Sequence, residues 1–309
     1  MATLKLDYLN ETVIKALDFF IKNRPPQVDL NAFKFPLVIG SGNAYNAARV
    51  LFANRPAIFA NESNLKKTIK SEVPVILEKK MINEVVVISA SGEKDSIWEV
   101  KLAKKYGLKT ILFTCSPNSS AAKIADKIFS FRKLPEPYTY NTSTYLGMLL
   151  GVSQEDPFLI REFLSYLNDK LPKSFSSYNS YTFILPDEFE AICSMINVKK
   201  DELFGPKLSL RAFSYGEARH AKFVIRDKKE LVISFGKNEY FGWPKSRWEI
   251  VLAKSTGPGL IMASVYYLIG LIQKNQPNYY KKNIADYCLD YGYKAYRDAK
   301  PFDIIVSGN

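Results

Sequence analysis

The segment Glu84–Ser89, with the sequence Glu-Val-Val-Val-Ile-Ser, constrains the fold of this chain more than any other. Its run of β-branched residues does not alternate with polar ones, which predicts a strand buried on both faces, as in a parallel sheet. The turn Ala90–Gly92 follows, and then a predicted helix over Asp95–Tyr106 that Gly107 terminates. Because neighbouring parallel strands need a crossover connection, usually a helix, this segment predicts an α/β fold.

The order of strand, turn and helix recurs in the first half of the chain. Phe35–Ile39 is a predicted strand, Gly40–Tyr45 is a turn, and an alanine-rich helix follows. A further helix is predicted over Leu65–Leu77, and the next predicted strands are Lys109–Thr114 and Lys127–Phe131. Strands and helices that alternate at this spacing form a parallel sheet with right-handed crossovers.

The chain has 309 residues, which is long enough for two domains of typical size. The polar segment Leu171–Ser180 is the best candidate for a linker. We therefore predict a first domain at residues 1–172, which includes an N-terminal helix, and a second at residues 173–309, which ends in a helical tail. In the second domain we predict the strands Tyr181–Leu185, Phe223–Ile225 and Leu231–Phe235 and the helices Glu188–Ile196, Trp248–Ala253 and Leu260–Ile272.

Composition and charge narrow the classes of partner. The net charge of +12 comes from lysines dispersed in short pairs, as on a solvated surface, and no long basic run with interleaved aromatics predicts a nucleic-acid groove. The longest apolar run, Leu260–Ile272, is shorter than the roughly 20 residues that cross a bilayer. The start of the sequence lacks the apolar core of a signal peptide. We expect no nucleic-acid or membrane partner.

The cysteines give no sign of a disulfide framework or of a metal site. Cys115, Cys193 and Cys288 are far apart, and the sequence has no CxxC pair and no Cys/His cluster. Free thiols fit the reducing cytoplasm, which is the predicted location.

Two turns that follow strands are candidate anion sites. Ser89–Lys94 lies directly after the buried strand and before a helix, whose first N–H groups are unpaired and carry partial positive charge. The serine hydroxyls and Gly92 would suit a phosphate there. Gly40–Tyr45 has the equivalent place after the first strand, but it matches neither the dinucleotide fingerprint nor the P-loop. An ordinary strand-to-helix turn with serine caps is the alternative.

These turns and the segments after them resemble the sugar isomerase (SIS) domain family. In the second half, two segments are similar to the isomerase half of glucosamine-6-phosphate synthase. The resemblance implies two tandem SIS domains, each a doubly wound, flavodoxin-like parallel sheet flanked by helices, that bind a phosphosugar without a cofactor. The segments that carry it are Gly40–Asn46, Val87–Glu93, Thr110–Thr114, Pro117–Ser120, Ile124–Asp126, Gly216–His220 and Asn275–Lys282.

The resemblance also implies which residues contact the sugar phosphate. Two of them depart from the family, which commonly has Ser where Ala44 stands and Thr where Lys94 stands. A lysine ammonium could replace the lost hydroxyls as a point charge. The implied binding residues are Gly42, Asn43, Ala44, Ser89, Ser91, Gly92, Lys94 and Thr142.

His220, the only histidine of the sequence, is the candidate for opening the sugar ring. Ring opening needs a group that can protonate the ring oxygen near neutral pH, and imidazole has the matching pKa. The resemblance implies that His220 acts in the site of a partner subunit, so we expect a homodimer. A surface histidine beside Arg219 and Lys222 is the alternative.

Proton transfer between neighbouring carbons calls for a carboxylate base. An ungapped match to the family places Phe204 at that position, and a short gap brings in Glu202. Glu217, three residues before His220, is a further candidate. The sequence leaves the choice open.

Glu136 and Lys282 match other family residues near the sugar. Their alternatives are a loop carboxylate or helix cap at Glu136 and a solvated lysine pair at Lys281 and Lys282. The predicted function is a phosphosugar isomerase, or a relative that adds or removes an amino group. A non-catalytic sugar-phosphate binder is the alternative, and a nucleotide-binding oxidoreductase is a distant third.

Overall fold

The computed structural model describes residues 5–71, 84–296, 298 and 300–309. The last part of the predicted helix Leu65–Leu77 and the first residues of the N-terminal helix lie outside the described residues. The described chain divides into two compact units. The first-sheet unit comprises residues 23–133, residues 147–154 and Asn309, and the second-sheet unit comprises the chain up to Lys22 and residues 134–146 and 155–308.

The first-sheet unit contains a parallel sheet of five strands in the order β2-β1-β3-β4-β5. The strand predicted from the β-branched run, β3, lies at its centre, and Val87 pairs with Ile39 on one side and with Leu112 on the other. Burial on both faces explains why this strand carries no polar alternation. The strands are β1 (Leu37–Gly40), β2 (Ile58–Ala60), β3 (Glu84–Ile88), β4 (Lys109–Thr114) and β5 (Lys127–Ser130).

Helices connect these strands, and each follows the carboxyl end of a strand. Gly107, with a φ of 72°, comes directly after the C-cap of the helix that follows β3, because glycine adopts this left-handed conformation without strain. The helices of this part are α2 (Asn43–Leu51), α3 (Leu65–Ser71) and α4 (Asp95–Lys105). The α/β fold with a parallel sheet flanked by helices is confirmed.

The second-sheet unit contains a parallel sheet of four strands in the order β10-β9-β7-β8. β7 lies in the interior of the sheet, where Phe183 pairs with Ala212 and with Ile233. The strands are β7 (Ser180–Leu185), β8 (Ser209–Ser214), β9 (Glu230–Phe235) and β10 (Arg247–Ile250). A separate antiparallel pair joins β6 (Glu136–Pro137) to β11 (Ile305–Val306).

Two predictions for this sheet are wrong. The predicted strand Phe223–Ile225 is a turn segment, and its apolar residues pair with neither sheet. Val224 is 79% exposed and Ile225 is 84% exposed. In the predicted helix Trp248–Ala253, the first three residues belong to strand β10, where they alternate between buried and exposed, and residues 251–253 form neither helix nor strand. Strand β8 was missed, because its own alternating pattern includes a charged Arg211.

Helices of the second-sheet unit include the N-terminal one, α1, which packs against the long apolar helix α9. The helix bounds are α1 (Leu9–Lys22), α5 (Thr142–Ser153), α6 (Pro157–Asp169), α7 (Glu190–Leu203), α8 (Tyr215–Ala218), α9 (Pro258–Asn275), α10 (Tyr279–Asp286), a π-helix (Tyr287–Tyr291) and α11 (Gly292–Ala295). The last residues of α5 belong to the first-sheet unit. Tandem domains divided after residue 172 stay a prediction.

Candidate functional site

The turn after β3 is closed by its own serine hydroxyls. The backbone N–H of Gly92 donates to Ser89 Oγ at 3.2 Å, and that of Glu93 donates to Ser91 Oγ at 3.3 Å. In both bonds the hydroxyl oxygen is the acceptor, so each serine keeps its hydrogen for another partner. The turn therefore presents Ser89 and Ser91 as hydroxyl donors at the carboxyl edge of the sheet, where open parallel sheets bind ligands.

Gly92 is required by this turn for two reasons. Its φ of 62° lies in the left-handed region that favours glycine. A Cβ added to it would overlap the Oγ of Ser119 and lie 2.7 Å from the Cβ of Ser119. The sequence signal Ser-Gly thus reflects a close approach of the turn to the segment after β4.

The residues before α2 and α4 share one unusual backbone conformation. Gly42 has a φ of 55° and a ψ of −127°, and Lys94 has a φ of 55° and a ψ of −122°. Each is the N-cap of its helix, and neither caps it with a side-chain hydrogen bond. A non-glycine residue held in this region stores strain, which in proteins clusters at functional sites. The turns after β1 and β3 are therefore structural equivalents.

The first of these turns is hydrogen bonded to two carboxylates. Ser41 Oγ donates to Glu99 Oε1 at 2.9 Å, and the Gly42 N–H donates to Glu62 Oε2 at 3.3 Å. Glu99, on α4, is only 1% exposed. The pKa of Glu99 is raised to about 7, mainly by burial and also by the charges of Asp95 and Glu62, while the hydrogen bond from Ser41 opposes the shift. Sequence reasoning missed Glu99, which no motif marks.

A second cluster of titratable groups lies in the second-sheet unit, around a lysine of α7. Lys199 has no exposed side-chain surface. Its Nζ lies 2.5 Å from Glu202 Oε2, donates to the backbone oxygen of Thr139 and lies 5.5 Å from the centre of the Tyr266 ring. Burial raises the pKa of Glu202, and the charge of Lys199 opposes this rise. Sequence reasoning selected Glu202 but missed the lysine one turn before it.

Glu136 belongs to the same cluster. Its carboxylate is buried and accepts hydrogen bonds from the Thr142 N–H at 2.7 Å and from Ser143 Oγ at 2.9 Å. Burial raises the pKa of Glu136, while these hydrogen bonds and the charge of Lys199 lower it. The helix cap that the sequence left open is thus present. Thr142 Oγ1 is within 3.1 Å of Thr12 Oγ1.

The connection from Glu136 to α5 has an uncommon backbone. Thr139 has a φ of 73° and Asn141 a φ of 49°. Both are non-glycine residues in the left-handed region, and the carbonyl of Thr139 is the one that Lys199 binds. The buried lysine therefore helps to hold a strained loop beside two carboxylates.

Glu217 and His220 lie at the carboxyl end of β8. Glu217 forms a capping box with Ser214, whose N–H donates to the Glu217 carboxylate at 3.3 Å. The N–H of His220 donates to the backbone oxygen of Glu217 at 3.0 Å, and both side chains are exposed. The Glu217 carboxylate is thus engaged in capping the start of α8.

The structure places the other predicted residues on helices or in the interior. Ala44 is buried on α2, Asn43 begins that helix, and Lys282 is exposed on α10. Phe204, at the position of the ungapped match, is 2% exposed and has no titratable group. Among the described residues, no group of three or more His, Cys, Asp or Glu could hold a metal ion. No helix in the described part of the chain is long and apolar enough to cross a membrane.

A cavity of about 460 Å³ lies at the carboxyl edge of the second sheet. Its lining comes from the last residues of β9 and β10 and from the segments that follow β7, β9 and β10, with Pro186, Gly236 and Val251 directly after the three strands. The side chains of Lys237 and Glu249 bring charges of both signs to it. None of the residues selected from the sequence is among those that line this cavity.

Comparison with solved structures identifies proteins of similar fold. One is the C-terminal domain of glucosamine-fructose-6-phosphate aminotransferase from Francisella tularensis, which has 14% identity and a TM-score of 0.58 and covers 86% of this chain and 94% of its own. Glucosamine-6-phosphate deaminase from Thermotoga maritima has 16% identity and a TM-score of 0.53, with 86% and 91% covered. Tagatose-6-phosphate ketose/aldose isomerase from Escherichia coli has 11% identity and a TM-score of 0.53, with 86% and 90% covered.

At these identities the likeness establishes the fold alone. No family model matches the sequence, and no curated protein matches it. The chain thus has the α/β fold of proteins whose names describe an aminotransferase, a deaminase and an isomerase of sugar phosphates.

Proposed function

We propose that this protein binds a hexose phosphate or an amino-sugar phosphate and catalyses its isomerisation or deamination. The observation that carries the proposal is the pair of equivalent turns after β1 and β3, with the same N-cap backbone at Gly42 and Lys94. The second turn presents two serine hydroxyls beside the uncapped start of α4. Similar folds belong to proteins named for work on sugar phosphates, which supports the proposal.

The phosphate in this proposal lies at the turn Ser89–Lys94. Ser89 and Ser91 donate their hydroxyl hydrogens, and the backbone around Gly92 supplies N–H groups. Lys94 adds a full positive charge at the N-cap, where a hydroxyl residue would add only a dipole. Gly42, Asn43 and Ala44 belong to the equivalent turn after the neighbouring parallel strand β1, and Thr142 at the start of α5 is proposed to contact the sugar.

Catalysis requires a base, and the contacts favour Glu202 over Glu217. Glu202 is paired with the buried Lys199, which holds the carboxylate in one position and opposes the rise in the Glu202 pKa that burial causes. Glu217 instead caps α8. We assign Glu202 the transfer of a proton between neighbouring sugar carbons, with Glu136 and Lys282 near the sugar. We assign His220 ring opening, in the site of the second copy of a homodimer.

A non-catalytic sugar-phosphate binder is the second candidate. One observation favours it: the Ala44 side chain is buried and carries no hydroxyl, so the first turn offers fewer donors than its equivalent. A protein that only senses a sugar phosphate needs the turns but not Glu202. Activity in variants of Glu202 separates the two candidates.

The first experiment is a thermal-shift screen with fructose 6-phosphate, glucosamine 6-phosphate and the matching unphosphorylated sugars. A phosphosugar at 100 times its dissociation constant adds about 2.7 kcal/mol to the free energy of unfolding, which gives a visible shift. The unphosphorylated sugars should give none. A chain that no sugar phosphate stabilises would contradict the proposed function.

The second experiment follows exchange of the C2 hydrogen of glucosamine 6-phosphate with D2O by proton NMR. Wild-type protein should exchange it, and Glu202→Gln should slow the exchange by roughly 100-fold or more, the usual contribution of a general base. Glu217→Gln is the matched control and should retain exchange. Binding without exchange in wild-type protein would favour the non-catalytic binder.

A test of the cross-subunit role mixes two inactive variants, Glu202→Gln and His220→Asn. If His220 acts in the partner's site, mixed dimers regain one complete site and part of the activity. Folded variants that exchange subunits without any rescue would contradict this role of His220.

A further inference from the structure

The buried carboxylate of Glu99 accepts the hydroxyl hydrogen of Ser41, which the first turn would otherwise donate to a ligand. Glu99 Oε1 accepts the hydroxyl of Ser41 at 2.9 Å. A serine hydroxyl has one hydrogen to donate. While Glu99 is ionised, Ser41 therefore cannot donate to a phosphate oxygen, in contrast to Ser89 and Ser91 of the second turn.

The two carboxylates bound to this turn differ in their freedom to move. Glu62, which accepts a hydrogen bond from the Gly42 N–H, is exposed, so its carboxylate can rotate away into the solvent. Glu99 is 1% exposed and is fixed in the interior. A phosphate that approaches the turn can displace Glu62, but it meets the charge of Glu99 at a fixed position.

The charges that the structure shows to act on the pKa of Glu99 are negative. Those that influence its pKa are the carboxylates of Glu62, before α3, and Asp95, on α4, and both raise it. The ammonium of Lys66, on α3, lies 5.6 Å from the centre of the Trp98 ring, and Lys94 stands at the N-cap. Under α4, the charged residues of β3 and β4 are Glu84 and Lys109, which begin these strands and pair at 3.5 Å.

These surroundings give Glu99 a pKa of about 7, mainly because burial disfavours its charged form. A phosphate monoester adds about two negative charges near pH 8, since its second pKa is about 6. A like charge nearby disfavours ionisation of a carboxyl group further. Glu99 is thus close enough to neutrality for a bound phosphate to complete its protonation.

We propose that Glu99 takes up a proton from solvent when a phosphate monoester binds at the two turns, and so couples the affinity for the sugar phosphate to pH. The neutral carboxyl then donates its O–H to Ser41 Oγ, which reverses the direction of that hydrogen bond. Ser41 in turn donates its hydrogen to a phosphate oxygen. Glu99 is a positioning residue that acts through Ser41, and the inference rests on the proposed phosphosugar site.

The test is isothermal titration calorimetry with fructose 6-phosphate and glucose 6-phosphate in two buffers of different ionisation heat. At pH 8, where these ligands are dianions, wild-type protein should take up close to one proton per ligand bound. Its dissociation constant should rise with pH, by up to about tenfold per pH unit between pH 7.5 and 8.5. Glu99→Gln should bind without proton uptake and with a flat pH profile.

Glu62→Gln is the matched control, because it removes an exposed carboxylate from the same turn and should leave the proton uptake intact. Wild-type binding without proton uptake overturns the inference, and this measurement needs no variant. Uptake that persists in Glu99→Gln also overturns it. If neither these hexose phosphates nor glucosamine 6-phosphate binds wild-type protein, the proposed function fails and the inference falls with it.

Discussion

The turns before α2 and α4 have one backbone conformation but different residues at its most demanding position. Gly42 and Lys94 both have a φ of 55°, with ψ values of −127° and −122°. This is the conformation of the first central residue of a type II′ turn, where glycine dominates. Glycine adopts it freely, whereas a residue with a Cβ is strained by about 1–3 kcal/mol. The fold therefore fixes the backbone conformation at this N-cap position, whereas the side chain there differs between the two turns.

The difference extends to the hydroxyls of the two turns. Ser89 and Ser91 accept hydrogen bonds from the backbone and keep their hydrogens, whereas Ser41 gives its hydrogen to Glu99. The second turn is ready to donate to an anion, and the first turn becomes so only when a buried carboxyl is neutral. The four predictions that follow test this contrast.

The largest effect is expected from Gly92→Ala. The new Cβ would overlap the side chain of Ser119 in a backbone with a φ of 62°, so we expect the free energy of unfolding to fall by about 4 kcal/mol or the chain not to fold. Gly42→Ala is the matched control, because a Cβ at Gly42 meets nothing within 4 Å. It keeps only the backbone strain and should cost about 1–2 kcal/mol in urea denaturation. Equal losses would contradict the close packing of the second turn.

The second prediction concerns stability and Glu99→Gln. The folded state raises the pKa of Glu99 from 4.5 to about 7, so between these values it binds a proton that the unfolded chain has released. The free energy of unfolding should therefore fall as pH rises through this window, by up to about 3 kcal/mol, and then stay level. Glu99→Gln should reduce this fall by the contribution of Glu99, while Glu136 and Glu202, whose pKa values are also raised, still contribute, and Glu62→Gln should keep the wild-type fall, in urea denaturation from pH 4.5 to pH 8. The same pH dependence of stability in wild-type protein and in Glu99→Gln would contradict the raised pKa of Glu99.

The third prediction concerns the donors of the second turn. Ser89→Ala and Ser91→Ala should each weaken binding of fructose 6-phosphate by about 2 kcal/mol, roughly 30-fold in dissociation constant, because each removes a hydrogen bond to a charged group. Ser71→Ala is the control, since Ser71 is exposed on α3 and its hydroxyl donates to its own helix. Calorimetry at pH 7 measures the effect, and unchanged affinity in both turn variants would place the phosphate elsewhere.

The smallest effect is expected at Lys94, where two substitutions separate charge from strain. Lys94→Met removes the charge and keeps the strain, so it should weaken phosphosugar binding about fivefold and flatten its salt dependence. Lys94→Gly should weaken binding similarly but stabilise the fold by about 1 kcal/mol, because glycine relieves the backbone. Lys101→Met, an exposed lysine on the same helix, is the control. If the affinity for the phosphosugar at low salt is unchanged in Lys94→Met, Lys94 is an ordinary solvated surface lysine and does not contact the phosphate.

The strands of the first sheet were predicted well from the sequence, because the residues of its central strand are compatible with few structures other than a buried strand. Four β-branched residues without a polar one among Val85–Ile88 fit only a strand covered on both faces. The second sheet was predicted less well. Trp248–Ile250 forms a strand with one exposed residue between two buried ones, and so short an alternation is also compatible with a helix.

The candidate site divides in the same way. Ser89, Ser91 and Gly92 could be selected because they follow a strand and precede a helix, and their neighbours in the chain define the turn. Glu99 and Lys199 could not be selected, since each lies within a helix where a charged residue is ordinarily exposed. Their burial depends on residues far away in the chain, Ser41 for Glu99 and Thr139 for Lys199.

By itself, the sequence determined the parallel arrangement of strands and the places where turns meet helix starts. These features are local, because they follow from β-branched runs, glycine positions and the register of serines within a few residues. Only the tertiary structure decided which carboxylates lose contact with water, which ones meet a lysine and which one meets a serine of another turn. Desolvation depends on what packs over a side chain, so the chemistry of Glu99, Glu136 and Glu202 is set by contacts between segments that the sequence does not bring together.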